Sequence, residues 1–387
     1  MSGTQGMLAE AFSATVNAAT NPPPNPEDHG SKAHHVNGGK GGFVNPWDSW
    51  HDAGIVAILK GIMHYRKTHG VTGPKTDPAP NVVKPTFPTT RSATDTQFRA
   101  TWLGHACFYV EFPGGLRVLF DPVFSDRCSP VQFMGPKRYT KIPCEIADIP
   151  VVDIVCISHN HYDHTDYGTI VKLQELHPKV HFFVPLGDKQ WFTRSGFHNC
   201  TELDWWDVRE VVLDPSNEGQ KTTVGFLPCQ HTSGRGLTDR SMTLWGSWSI
   251  ESGGKKVYFA GDTGYRAVPQ ESAGKDDYAE EYKHLPVCPA FKQIGELRGG
   301  FDLGLIPIGA YVPRWIMSPM HADPKDAVNI FVDTKCTKAI AMHWGTWVLT
   351  DEPVMEPPER LRRALKEKGI DETGVFDVLD IGGSKDF

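Results

Sequence analysis

The stretch Val151–Asp166, VVDIVCISHNHYDHTD, constrains this chain more than any other. Its first half is a short, almost unbroken apolar run rich in Val and Ile, the pattern of a strand buried on both faces. The run stops, and His159, His161, Asp163 and His164 follow within six residues. A strand that delivers so many nitrogen and oxygen donors into one loop makes a candidate metal site. Imidazole and carboxylate together suit zinc and its first-row neighbours. The chain has 17 histidines, but surface histidines scattered at random would not crowd together directly after a buried strand.

The same device recurs. Thr222–Leu227 reads as an apolar strand followed by His231, Lys256–Ala260 as one that delivers Asp262, and Lys338–Met342 as one that delivers His343. Ligands borne on strand ends are held by the core, as a preorganised site needs. The total is five histidines and two aspartates. One zinc with three protein ligands and a water uses too few of them, whereas two metals sharing a carboxylate use them all.

Further strands are expected at Phe98–Leu103, Cys107–Phe112, Leu116–Phe120, Val180–Val184, Met242–Glu251 and Leu303–Ile308, with turns at Gly114-Gly115 and Gly253-Gly254. Helices are expected at Tyr167–Leu176, Asp188–Gly196, Pro324–Val332 (capped by Asp323) and Pro358–Lys368. Many strands, helices between them and a division into two similar halves suggest two packed sheets with helices outside, an α/β (α+β) sandwich.

The chain divides into three parts. Residues 1–44, with NPPPNP, HGSKAHH and GGKGG, read as a disordered arm in which Met7–Val16 forms at most a weak amphipathic turn or two. Residues 45–97 read as a helix and an irregular wrap. Asn45 is a good N-cap, Pro46 suits the first helical position, and Asp48 favours the positive end of the dipole. Ile55, Ile58, Leu59, Ile62 and Met63 then recur at helical spacing. Trp47, Trp50, His64, Arg66 and Lys67 are compatible with an element at a membrane surface or a dimer face as well as with a core helix. Residues 98–387 carry the ligands.

Composition excludes some classes. Lys plus Arg number 39 against 46 Asp plus Glu, a formal charge of −7, which argues against a broad nucleic-acid footprint. The eight cysteines are dispersed with no Cys-x-x-Cys pair. In a chain this long they read as free, buried thiols in a reducing, intracellular compartment. No apolar run reaches the roughly 18–20 residues of a membrane span, and no secretory signal is expected.

The segments TWLGHA, SPVQFMGPKRY, ISHNHYDHTDY, FVPLG, ELDWW, LWGSWS, FAGDTGY, FDLGLIPIGAY, PRW and MHWGTW resemble the N-acylphosphatidylethanolamine-hydrolysing phospholipase D family of the metallo-β-lactamase superfamily. The resemblance runs over roughly residues 98–380, with a weaker echo at NPW from Asn45. It implies an αββα sandwich of two mixed sheets with outer helices and a two-zinc site in each subunit. His159, His161 and His231 would hold one zinc, Asp163, His164 and His343 the other, and Asp262 would bridge them. It implies hydrolysis of N-acylphosphatidylethanolamine to an N-acylethanolamine and phosphatidic acid, by attack of a metal-bridging hydroxide on phosphorus. It also implies catalytic roles for Asp163, Asp262 and His321, and contact with a phospholipid at a membrane surface by a peripheral homodimer.

Tyr162 inside the ligand loop and His321 in MHADP are candidate substrate contacts. Asp121, ending a strand before Pro122, is a candidate support for a ligand histidine. His105 reads as structural. The segment TSGRGLTDRS after His231 departs from the animal pattern of the family, and a charged insert lies between Gly264 and Ile294. Rival readings are a hydrolase of the same fold acting at a carbonyl (lactone, thioester or β-lactam), a nuclease, and a catalytically silent lipid-binding scaffold.

Overall fold

The apolar run before the ligand loop forms a three-residue strand, Ile154–Cys156, buried throughout. Parallel neighbours flank it on both sides, as its unbroken apolarity requires. The computed structural model describes residues 13–71, 73, 75–91, 96–213 and 221–387, and its strands are numbered in chain order. One sheet has eight strands in the spatial order β1 (Ala14–Ala18), β8 (Val208–Leu213), β9 (Lys221–Leu227), β10 (Ser247–Ser252), β11 (Lys255–Phe259), β12 (Phe301–Pro307), β13 (Cys336–Met342) and β14 (Phe376–Asp377). The other has seven: β15 (Ser384–Asp386), β2 (Arg99–Gly104), β3 (Cys107–Glu111), β4 (Arg117–Phe120), β5 (Ile154–Cys156), β6 (His181–Pro185) and β7 (Cys200–Leu203). Both are mixed. In spatial order, neighbours pair antiparallel from β15 to β4 and from β1 to β11, and the remaining pairs are parallel.

Alternation along the strands decides what faces what. Ile154 and Cys156 of β5, with Phe108 and Val110 of β3, face the apolar layer between the sheets. Val155, Cys107 and Tyr109 face the outer layer, as a side-chain period of two demands. Phe120 of β4 stacks on Phe259 of β11 across the layer at 4.8 Å, and Trp248 of β10 sends its indole N–H to Ile157 O at 2.9 Å. Each such buried aromatic contributes on the order of 2–3 kcal/mol.

The helices lie outside: α1 (Gly54–His69), α2 (Tyr167–Leu176), α3 (Lys189–Arg194), α4 (Ala290–Arg298), α5 (Arg314–Met317), α6 (Pro324–Asp333) and α7 (Glu356–Glu367). The result is the expected α/β sandwich of two mixed sheets with outer helices. The expected cap of α6 is a reciprocal box: Asp326 N donates to Asp323 Oδ1 and Asp323 N to Asp326 Oδ2.

Three expectations need correction. Residues 1–12 lie outside the described residues, but residues 13–44 are not a disordered arm. β1 pairs antiparallel with β8, closing the open ladder that an edge strand would otherwise present. Phe43 and His34 are buried behind it. The first helix begins at Gly54, not Asn45. The Asn45 side chain is engaged instead with the backbone of His231, and Trp47 stacks on Trp205 at 5.3 Å, so this stretch is tied down before a helix can start. The strand expected from Met242 begins only at Ser247. Leu244 N and Gly246 N donate to Leu186 O and Ser158 O in the opposite half of the molecule, which pulls residues 242–246 out of the ladder.

Among the described residues no helix is long and apolar enough to cross a membrane. Helix α1 packs through Gly61, where an added Cβ would lie 2.1 Å from Ile316 Cδ1. Its outer side exposes Val56, Leu59 and Met63 at 66%, 56% and 62%. All eight cysteines are free and buried.

Candidate metal centre

The seven candidate ligands follow the ends of strands in both sheets. His159, His161, Asp163 and His164 follow β5 in the seven-stranded sheet. His231 follows β9, Asp262 follows β11 and His343 follows β13 in the eight-stranded sheet. The centre therefore lies where the two sheets meet at one end.

Two trios form. The nitrogens of His159, His161 and His231 lie within 4.8 Å of one another, with His159 Nε2 2.8 Å and His231 Nε2 3.3 Å from His161 Nδ1. Asp163, His164 and His343 form the second group, and His105 joins it. Asp262 stands between them. Its Oδ2 is 3.1 Å from His164 Nε2, 3.7 Å from His231 Nε2 and 4.0 Å from His159 Nε2, and its Oδ1 is 2.9 Å from His343 Nε2.

Groups behind the trios set their tautomers. Asp121 accepts from His164 Nδ1 at 2.6 Å, Ser158 Oγ at 2.6 Å and Ser158 N at 2.7 Å. With its hydroxyl committed to Asp121, Ser158 accepts from His159 Nδ1 at 2.9 Å. His231 Nδ1 donates to Met320 O at 2.9 Å. In these three the Nδ1 proton is held from behind and Nε2 is turned to the centre, the arrangement that orients imidazole toward a metal, whereas His161 turns its Nδ1 inward.

The electrostatics ask for positive charge. Burial opposes protonation of His164, but Asp262, Asp163 and Asp121 outweigh it and hold that imidazole well above its ordinary range. Burial likewise opposes ionisation of Asp262 and Asp163, yet the surrounding imidazoles keep both carboxylates well below theirs. Burial and neighbouring imidazoles keep His159 and His231 neutral, with lone pairs free to coordinate. His321 Nδ1 is buried here without a hydrogen-bond partner, and His164 Nε2, His343 Nε2 and Asp262 Oδ1 meet only in close ion pairs that lack hydrogen-bond geometry. An orphaned buried polar atom costs on the order of 1–3 kcal/mol, and coordination would satisfy it. The donor set fits a pair of zinc-class cations sharing Asp262.

The backbone is strained at the same place. His105, Asp121 and His343 all have left-handed backbone, with φ of 51°, 37° and 60°, a conformation that costs non-glycine residues on the order of 1–3 kcal/mol each. Hydrogen bonds hold it: His343 N donates to His105 O, and Asp121 N to Cys156 O, each at 3.0 Å.

Residues 116–344 match the family model described as a beta-lactamase superfamily domain. A Caenorhabditis elegans protein named N-acyl-phosphatidylethanolamine-hydrolyzing phospholipase D 1 is 36% identical over 289 residues, covering 73% of this chain and 74% of its own length. This chain belongs to that phospholipase D family. It is an enzyme of the metallohydrolase class. The mitochondrial N-acyl-phosphatidylethanolamine-hydrolyzing phospholipase D of Saccharomyces cerevisiae is 35% identical over 263 residues, and the match covers 67% of this chain and half of the yeast protein. Among solved structures, the metallo hydrolase Igni18 of Ignicoccus hospitalis superposes with a TM-score of 0.50 at 20% identity, covering 76% of this chain and 99% of that one. The isothiocyanate hydrolase from Delia radicum gut bacteria gives 0.50 at 18%, covering 75% and 99%. At these identities the two structures speak for the fold alone.

The remaining candidates fall around this centre. His321 lies at its rim, with Nδ1 3.9 Å from Asp262 Oδ2 and its ring 5.1 Å from that of His231. Burial pushes His321 down to about 4. Tyr162 is joined to the segment after His231: its hydroxyl donates to Arg235 O at 3.1 Å, and the Arg235 guanidinium covers its ring at 4.0 Å. Sequence reasoning understated His105, whose Nε2 donates to Asp163 Oδ2 at 3.0 Å. It did not find Ser158, Asn45 or Arg235. Arg235 Nη1 donates to both Asn160 O (2.9 Å) and Thr165 O (2.8 Å), clasping the two ends of the ligand loop. The one available signal was the unusual TSGRGLTDRS segment itself.

Proposed function

We propose that this protein is a zinc-dependent phosphodiester hydrolase that cleaves N-acylphosphatidylethanolamine to an N-acylethanolamine and phosphatidic acid. The observation that carries the reading is Asp262 standing between two converging ligand trios, in a chain whose relatives are named for this reaction. His159, His161 and His231 would hold one zinc, Asp163, His164 and His343 the second, and Asp262 would serve both. Such a pair supplies an acidified water as nucleophile and neutralises the phosphate oxygens.

The chain's own groups do the rest. Asp121, Ser158 and Met320 O fix the imidazoles, so little reorganisation accompanies the reaction. His105 holds Asp163 by one oxygen. His321, neutral near pH 7, offers an imidazole N–H at the rim to hold a phosphate oxygen. Tyr162, beneath Arg235, lines the approach. The exposed stripe Val56, Leu59 and Met63 on α1, with Lys67 nearby, is the part of the surface suited to resting on a bilayer. The protein would work as a peripheral, intracellular homodimer.

The test is an assay of the purified chain, zinc-loaded or chelated, on N-acylphosphatidylethanolamine vesicles, a lactone and a penicillin, with the metal quantified. Zinc-dependent release of N-acylethanolamine, with oxygen-18 from water appearing in the phosphatidate, supports the proposal. Turnover of the carbonyl substrates alone, or unlabelled phosphatidate, would sink it.

A further inference from the structure

A second donor cluster lies away from the catalytic centre, where the N-terminal segment crosses the turn between β7 and β8. Asp204 sits in that turn, 8% exposed. Its Oδ1 accepts from His34 Nε2 at 2.7 Å and from Trp205 N at 2.7 Å. Its Oδ2 accepts from His35 Nε2 at 2.9 Å and contacts Lys32 Nζ at 2.9 Å. The Lys32 ammonium is also 3.3 Å from His29 Nε2. Two imidazole nitrogens and a carboxylate thus converge, with the Lys32 ammonium seated on the carboxylate.

The surroundings are those of a built site. The His34 ring stacks on Trp205 at 4.3 Å and meets His35 edge-on at 4.4 Å. A cavity of about 150 Å3, lined by His29, Lys32, His34, Trp47, Trp205 and Trp206 among others, opens beside the cluster. The ligand atoms of His34, His35 and Asp204 all lie within 4.8 Å of one another. A tetrahedral zinc with bonds of about 2.0–2.2 Å would spread these donors by roughly half an ångström. The donors at the catalytic centre are equally drawn in, at 2.8 Å between His159 and His161.

We propose that His34, His35 and Asp204 form a separate site for one zinc-class cation, which staples the N-terminal segment to the β7–β8 turn. Lys32 is its built-in competitor. The side chain is 31% exposed, so the ammonium can swing out to water when a divalent ion takes its place. Imidazole with one carboxylate is a donor set for zinc rather than for magnesium or calcium. The staple bears on the catalytic centre through the chain itself, because the segment it fixes carries Asn45, which grips His231.

The experiment is equilibrium dialysis of the full chain against zinc, with metal counted per chain. Wild type is compared with a His34→Ala/His35→Ala double variant and with Lys32→Met. The measurement reads differences between chains, so it holds whatever number of ions the catalytic centre takes. The double variant should bind one zinc fewer than wild type. Lys32→Met, which removes a like charge from the site and leaves every ligand in place, should keep that zinc and bind it more tightly, by roughly tenfold. Equal zinc content in wild type and the double variant overturns the proposal. Binding in Lys32→Met that is no tighter than in wild type also overturns it, and this second arm does not depend on how the double variant folds.

Discussion

Asn45 grips both backbone groups of His231: its Nδ2 donates to His231 O at 2.7 Å, and His231 N donates to Asn45 Oδ1 at 3.2 Å. A residue 186 positions away thus fixes the backbone of a candidate ligand, while Met320 O fixes its imidazole from behind. Asn45→Ala would leave a buried N–H and C=O unpaired, at a cost of about 1–3 kcal/mol each. Competition titration with a zinc chelator should show weaker binding, and thermal unfolding a lower midpoint. Unchanged zinc affinity would mean that Met320 O alone holds the ring.

Asp121 should matter to chemistry it does not touch. It accepts the Nδ1 proton of His164 and orders Ser158 behind His159. Asp121→Asn keeps the volume but turns one acceptor into a donor. Loss of such an outer partner lowers metal affinity or activity by on the order of 10–100-fold. Zinc content and the hydrolysis rate should fall together. A variant with full metal content and full rate would show that Ser158 suffices.

Asp188 gives a pH signature from behind the ligand loop, where Asn160 donates to it at 3.2 Å. Burial pushes its carboxyl up to about 7, against hydrogen bonds from Asn160 and Thr243. The folded value lies above the unfolded one of 3.8, so the folded chain holds the proton more tightly. That stabilisation is complete below about pH 4 and is lost as the pH rises through 7. Asp188→Asn removes the titration. Urea denaturation should therefore show the variant gaining on wild type between pH 4 and pH 8, by up to a few kcal/mol. A difference that stays flat with pH contradicts the assignment.

The α1 stripe can be tested separately from catalysis. Val56→Ser/Leu59→Ser/Met63→Ser replaces three side chains that are more than half exposed and so leaves the core alone. If the stripe meets lipid, vesicle sedimentation should fall by tenfold or more, since burying each such side chain is worth on the order of 1.5–3 kcal/mol. Activity on a detergent-dispersed substrate should persist. Equal partitioning of both proteins would assign the stripe to another role, a dimer face first.

What could be read in advance followed local rules. β5, α2 and the cap of α6 stand where apolar runs, helical spacing and Asp323 place them, because each is decided within a few residues. The seven donors were legible for the same reason, trailing four apolar strands. What was not legible depends on distant partners. Asn45 looks like a helix cap in isolation, and only the presence of His231 gives it different work. His105 looks structural until Asp163 folds against it. Residues 13–44, poor in large apolar side chains, gave no local sign of order. They are held by the open edge of β8 and by Asp204, both far along the chain.

The two ends of the chain trade places. β1, at the N-terminus, completes the sheet built from the later half, and β15, at the C-terminus, completes the sheet built from the earlier half. Each half of the molecule borrows its outermost strand from the other, so the halves interlock and trimming one terminus is felt at the opposite end. Removing β15 bares the edge of β2, the strand that ends immediately before His105. Removing β1 bares β8, beside the turn that carries Asp204. Either cut replaces a short edge strand with a longer one, an open ladder more prone to pair with another chain.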